Sequence, residues 1–561
     1  MQLFSLSYIG TFVFVLAAIL ALAFEVSDRL KLMLLLVLGV SLRLFVATRN
    51  PLILQDWPLE DDSHYYFTIA RNLAQGRGLR HDSFNSTTGF QPLFLFMIAP
   101  LFKLIPDKLL AINGVLILQT AIGALGGALL YSLARLVSTP GAGLLALAIW
   151  ATSPAFLTAD LNGLETNTAV FMLLATLCFY LKNFGKADPP DTWTHVRLGL
   201  LCGISFLARI DLGFLIPILC IDILLRGRHR GSIPSKIPRL ALFASAASLP
   251  LLPWMLYNLA IVGSILPSSG QAVRFVSEAY GFHFLASGPG EAPRYFEIGR
   301  IPADYYLLTI REGAGDLARI LGRTFPLWAG VVVVAVSISL SFRRVIGELR
   351  KTAFFFVFLV AIFFSYTCYI FGQWFFDRYL APFAIGYLLV LFACLAQLGS
   401  EVRSDRLRLV RSARVIFVPA ALGILFLNSL QDVESILERN RPSKYYEVAE
   451  WINANTPPEA VIGMFQSGIT GYYLERRFYG LDGKINLDAL RAMQSKTIDR
   501  YVKEKGIDYL MDWPWILRDL FTRRSEDPAF LSRQKLVWEG PYDVYDLGVR
   551  RTKAPTSTRP R

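Results

Sequence analysis

Apolar segments of bilayer-spanning length recur along this chain, and they confine it to a polytopic α-helical membrane protein. A bilayer core about 30 Å thick takes about 20 apolar residues per helix, and only helices or closed barrels satisfy all backbone polar groups there. Such segments fall at 6–24, 30–48, 111–135, 141–157, 166–184, 240–262, 324–341, 353–371, 378–398 and 413–430. The run 197–225 is too long for one plain span and is interrupted by Arg209-Ile210-Asp211. Charge at mid-membrane is costly unless it faces water or protein. The run therefore reads as two short helices meeting at a charged apex, which brings the expected spans to about 12.

Basic connections set the orientation. Residues 226–239 carry Arg226, Arg228, Arg230, Lys236 and Arg239 with no acid; 342–352 carry Arg343, Arg344, Arg350 and Lys351; 401–414 carry five arginines. All three are expected on the cytoplasmic side. The net charge of +13 thus points to the lipid bilayer, not to nucleic acid. Working back, 49–90, 158–165, 263–323 and everything after 430 lie outside. The parity closes only if 91–105, broken by Pro92 and Pro100, is a re-entrant or interfacial helix in the first outer loop. The segment 6–24 is expected to be a retained span of an inner or plasma membrane protein. The five cysteines all sit in apolar segments and offer neither a disulfide framework nor a CxxC site.

After 430 the composition changes. Ser443 to Asn453 reads as an amphipathic helix, Ala460 to Phe465 as a short strand, and Arg477 to Leu481 as a second. A helix over 495–505 precedes a third strand, Ile507 to Met511, and Lys535 to Asp546 reads as a hairpin around Gly540-Pro541. This is a small extracytoplasmic α/β domain over 431–550, following a membrane domain over 1–430, with 551–561 as a disordered tail.

Polar groups then gather on the outer face. Asp61, Asp62 and His64 open a helix in the first outer loop, where the helix N-terminus favours negative charge. Tyr66, Ile69, Ala70 and Leu73 form its apolar face, and Arg71, Asn72 and Gln75 the other. Further along the same side are Glu165, Arg209, Asp211, Tyr257, Asn258, Gln373, Trp374, Asp377 and Arg378. Carboxylates, arginines and aromatics around one lipid-accessible space suit a reaction on a lipid-linked anionic substrate. Arginine holds a phosphate with paired hydrogen bonds, a carboxylate takes the proton of an attacking hydroxyl, and aromatic faces pack on sugar rings. Each has a plainer use: Glu165 as a helix cap, Arg209–Asp211 as a structural pair, Trp374 as an interface aromatic, Arg378 as a snorkelling side chain. His64 beside Asp62 leaves a divalent metal (Mg or Mn) open as a cofactor, and the metal ligands, if any, unassigned.

Glu60-Asp61-Asp62-Ser63-His64-Tyr65-Tyr66-Phe67, followed by Thr87-Thr88-Gly89-Phe90-Gln91-Pro92, resembles the first outer loop of C-type (GT-C) integral-membrane glycosyltransferases. The similarity is to the bacterial branch of arabinofuranosyl- and mannosyltransferases. Asn162-Gly163-Leu164-Glu165-Thr166, Leu207-Ala208-Arg209-Ile210-Asp211, Pro253-Trp254-Met255-Leu256-Tyr257-Asn258, Arg378-Tyr379-Leu380-Ala381-Pro382 and Gly480-Leu481-Asp482-Gly483 extend it. Gln91 and His81 depart from the usual residues. The resemblance implies a polyprenyl-phosphate-linked sugar donor, a glycan, lipid or protein acceptor in the cell envelope, and inverting transfer on the extracytoplasmic face. A first-loop aspartate would act as base: Asp61 first, Asp62 second, with Glu165 as the further catalytic carboxylate. His64, Arg71, Arg209, Asp211, Tyr257, Asn258, Trp374 and Arg378 would bind substrate. A transporter or flippase should show repeated halves and matching broken helices, which the sequence lacks; a lipid-linked oligosaccharide ligase is the alternative among enzymes.

Overall fold

The computed structural model describes residues 27–185, 190–226, 233–285, 301–372, 376–401, 408–439 and 441–549. The expected span 6–24 and the tail after 550 lie outside the described residues. Helix α1 (Asp28–Ala47) starts on the Ser27 cap and turns Met33, Leu34 and Val37 outward. Next come α2 (Asp61–Ala74), α3 (Pro92–Leu104) and the long α4 (Lys108–Val137). The helices α5 (Pro140–Thr152) and α6 (Pro154–Leu161) form one bent pair, at 61°. They lead to α7 (Thr166–Phe184).

Helices α8 (Thr192–Ala208) and α9 (Leu215–Arg226) meet at a 3-10 turn over Ile210–Phe214, where Arg209 breaks the helix with extended backbone. The charged apex between two short helices is thus realised. Helix α10 (Ser268–Leu285) follows. Helix α11 (Leu327–Arg350) absorbs most of the basic connection 342–352: the chain breaks at Ser341 (φ −150°, ψ 42°) and then stays helical, instead of forming the expected loop. Seven helices among the described residues are long and apolar enough to cross a membrane, and the bent pair could supply an eighth.

Charge buried in the bundle is paired. Arg43 on α1 donates to Asp160 on α6 at 2.7 Å, and also to the carbonyls of Trp150 and Gly39. The Trp150 indole donates to the same carboxylate at 3.1 Å.

The C-terminal domain holds a five-stranded sheet in the order β2-β1-β3-β5-β4, with β1 (Val461–Met464), β2 (Arg477–Gly480), β3 (Tyr509–Asp512), β4 (Lys535–Trp538) and β5 (Asp543–Asp546). Its first three strands are parallel, and the expected hairpin adds β5, antiparallel to β3, and β4, antiparallel to β5. Strand β1 lies inside the sheet between β2 and β3 and is buried throughout, as a strand covered on both faces requires.

This domain sits on the segment between α1 and α3, the expected first outer loop. The Ser83 amide donates to the Phe478 carbonyl at 3.1 Å, the Gly480 amide donates to Asp82, and Phe84 stacks on Tyr479 at 4.1 Å, so the loop closes the exposed edge of β2. Helix α2 lies between bundle and domain. Every residue from Ser63 to Ala70 is buried, so the expected two-faced pattern does not hold over the first turns: the face away from the bundle is covered by the domain. The Gln91 amide donates to Tyr66, and Lys108, just beyond the far end of α3, donates to the Tyr472 carbonyl.

Candidate active site

The first turn of α2 aims Asp62 into the bundle. Its Oδ2 accepts from Arg378 Nη2 at 2.6 Å, and its Oδ1 lies 3.4 Å from Lys484 Nζ. Arg378 also reaches Glu60 at 3.5 Å, and Lys484 lies 3.9 Å from Asp482. Burial would raise the Asp62 pKa, but Lys484 and then Arg378 outweigh it and hold the carboxylate well below its usual range. Burial likewise works against charge on Lys484, and Asp62 and Asp482 outweigh it, so the ammonium is held above its ordinary value.

A second cluster abuts the first. At the α8–α9 apex, Arg209 donates to Asp211 at 2.8 Å and to the Tyr366 hydroxyl at 3.1 Å, while Tyr366 donates to Asp211 at 2.7 Å. Glu165, at the start of α7, lies 3.6 Å from Arg209. The clusters share a wall. Arg209 donates to the Arg378 carbonyl at 3.2 Å, both guanidinium groups face the Tyr379 ring, and Tyr366 stacks on that ring at 4.0 Å. One cavity of about 820 Å³ exposes Asp62, Glu165, Arg209, Asp211, Arg378 and Lys484 together. That volume lies in the range of about 300–1,000 Å³ typical of small-molecule sites.

The other expected residues go elsewhere. Asp61 does not line the cavity. Its Oδ1 accepts from the Ile469 amide at 2.7 Å, at the start of the short helix Gly468–Tyr473 in the C-terminal domain, and its Oδ2 is buried without a hydrogen-bond partner. Burial first, with Asp62 adding to it, pushes the Asp61 pKa up to about 7 against the pull of the Ile469 amide. Its place is at the domain junction, one helical step of about 100° from Asp62.

His64 is buried among Phe67, Tyr472 and Tyr473, and burial pushes its pKa down to about 3, so it is a neutral packing group away from the cavity. Arg71 lines a separate cleft with Lys103 and Lys108. The Tyr257 hydroxyl donates to the Thr87 carbonyl at 3.2 Å and Asn258 donates to the Ile265 carbonyl at 3.1 Å, so both support the loops that frame the cavity. Trp374 lies outside the described residues.

Lys484 was not legible as a site residue, although Gly480-Leu481-Asp482-Gly483 immediately before it was; the turn was the available signal. Tyr379 stands in the Arg378-Tyr379-Leu380 motif, whereas nothing in the sequence singles out Tyr366. Among the described residues no three His, Cys, Asp or Glu side chains gather as a metal site. The carboxylate best placed for a divalent ion, Asp62, already faces two cations. Both of its oxygens are engaged by Arg378 and Lys484, which compete with any divalent ion there.

Comparison with known proteins agrees with this architecture. Residues 90–254 match the family model of dolichyl-phosphate-mannose-protein mannosyltransferases, and 434–548 match a domain of unknown function, DUF8728. ArnT from Cupriavidus metallidurans bound to undecaprenyl phosphate superposes with a TM-score of 0.54 at 13% identity, over 95% of this chain and 100% of that one. The Archaeoglobus fulgidus oligosaccharyltransferase in its apo form gives 0.54 at 13% identity, over 90% of this chain and 72% of that one. The same enzyme tethered to an acceptor peptide containing the NVT sequon gives 0.51 at 14% identity, over 90% and 72%. A comparison with curated proteins finds no match.

The chain shares the fold of these membrane glycosyltransferases, a bundle with several helices long and apolar enough to cross a membrane and a small C-terminal sheet domain. Residues 90–254 are similar to the protein mannosyltransferases, and the structural neighbours, at these identities, share the fold alone.

Proposed function

We propose that this protein transfers a sugar from a polyprenyl-phosphate-linked donor to a hydroxyl of a cell-envelope glycan, lipid or protein, with inversion, on the extracytoplasmic face. The observation that carries the reading is the shared cavity, where two cations clamp one carboxylate and a second carboxylate–arginine pair faces them. ArnT binds undecaprenyl phosphate, which supports a lipid-phosphate donor here.

The acceptor oxygen attacks the anomeric carbon as the bond from that carbon to the phosphate oxygen breaks. The hydroxyl proton passes to a carboxylate, and the electron pair leaves with polyprenyl phosphate. Asp62 is the base. Its basicity is suppressed while Arg378 and Lys484 hold it, and rises when the donor phosphate takes up those cations. Arg378 neutralises the charge developing on the leaving group, Arg209 holds Glu165 and Asp211 toward the sugar, and the enclosed cavity keeps water from competing.

The test is purified protein in detergent with radiolabelled polyprenyl-phosphate sugars, scored for acceptor-dependent release of polyprenyl phosphate and loss of release in Arg378→Lys, which keeps charge but not paired geometry. Translocation of a lipid-linked sugar without release would replace transfer by a flippase activity. Loss of release after chelation with EDTA, restored by Mg or Mn, would reinstate the metal.

A further inference from the structure

The C-terminal domain matches only a domain of unknown function, yet it closes the catalytic cavity. We propose that it completes the donor site by supplying Lys484 as the second cation that holds the donor phosphate, opposite Arg378. This rests on the donor being a polyprenyl-phosphate sugar.

Lys484 is fixed from three parts of the chain. Within the domain, its amide donates to Asp482 Oδ1 at 3.0 Å across a turn that Gly483 makes in the left-handed region (φ +79°). From α10, Ser268 at its start donates to the Lys484 carbonyl at 2.9 Å. From the first outer loop, Gly89 approaches so closely that a Cβ there would lie 2.5 Å from the same carbonyl. The side chain passes over the Tyr65 ring, whose hydroxyl donates to Asp482 at 3.1 Å, and it ends in the cavity.

The two oxygens of Asp62 are divided between the cations, Oδ2 to Arg378 and Oδ1 to Lys484. Two oxygens of a phosphate would bridge the same pair. A lysine so held is a point charge that a domain docked elsewhere could not supply, so donor binding and domain docking are one event.

The test uses the full chain in detergent, with farnesyl phosphate as binding probe and farnesol as its uncharged control. Lys484→Met and Lys484→Gln should weaken farnesyl phosphate binding about 10- to 100-fold, the worth of one charge-assisted contact, and raise donor KM more than they lower kcat. Lys484→Arg should recover most of the affinity, farnesol binding should stay unchanged, and Lys535→Met on exposed β4 should behave as wild type. With one cation gone, the acid limb of the kcat/KM profile should move to higher pH, a shift that a merely structural lysine would not cause.

Unchanged farnesyl phosphate binding by both neutral variants, or an equal loss of farnesol binding, overturns the proposal. If wild type binds farnesyl phosphate but transfers no sugar, the transfer reading fails while the lysine's role stands. If wild type does not bind the probe, both fall.

Discussion

Two adjacent carboxylates occupy opposite worlds. Asp62 faces the cavity and two cations, whereas Asp61 faces a helix start in another domain and leaves one oxygen unpartnered. Asp62→Asn should therefore cost about 10²–10⁴-fold in turnover, the usual worth of a general base. Asp61→Asn should leave turnover within a few-fold of wild type. A turnover assay on both variants decides between them, and the reverse pattern would return the base to Asp61.

The same two residues give a pH prediction. The Asp61 carboxyl keeps its proton up to about pH 7 in the folded protein but would lose it near pH 3.9 when unfolded. Between those values the folded state binds the extra proton, so this group destabilises the fold progressively as pH rises. Asparagine cannot ionise and still offers an oxygen to the Ile469 amide. Asp61→Asn should thus raise the melting temperature at pH 8 and change it little at pH 4, read by thermal unfolding at the two pH values.

Among the elements, α1 and α6 are tied by a charge pair with no side-chain exposure for Arg43 and 6% for Asp160. Arg43→Met would leave Asp160 charged or protonated without its main partner in a low-dielectric bundle, which costs about 3–5 kcal/mol for a broken buried pair. Adding Asp160→Asn removes the stranded charge and should recover much of that loss. Thermal unfolding in detergent checks it; two additive losses would mean the pair is not coupled. Helix α2 shows the limit of periodicity. Past Ala70 polar and apolar residues are alike half-buried, and the turns before them are buried on all sides because a second domain arrives there.

At the scale of the molecule, the C-terminal domain, the first outer loop and the cavity share one side, and exposed Lys351 lies on the basic connection after α11. In a cysteine-free background, cysteine at Arg518, an exposed position in the domain, should react with an impermeant maleimide in intact cells. Cysteine at Lys351 should react only after permeabilisation. Reaction of Lys351→Cys from outside would invert the orientation and move the site to the cytoplasmic face.

Spans, basic connections and the strand pattern of the last hundred residues are local signals. They arise from bilayer thickness and backbone periodicity, and the sequence alone carries them: α8 and α9 broken at Arg209, or the β4–β5 hairpin at Gly540-Pro541. So is the chemical inventory of Asp62, Glu165, Arg209, Asp211 and Arg378. Which of two neighbouring aspartates faces the cavity is not local, since it turns on what lies across from each. Asp62 meets a lysine 422 residues away, and Asp61 meets an amide 408 residues away. Those partners are chosen by how the domain docks on the loop, through Phe84 on Tyr479 and the β2 edge. A contact made across more than 400 residues leaves no periodic trace in either segment, so only the tertiary structure could place Lys484 on the cavity wall and His64 and Asp61 at the junction beside it.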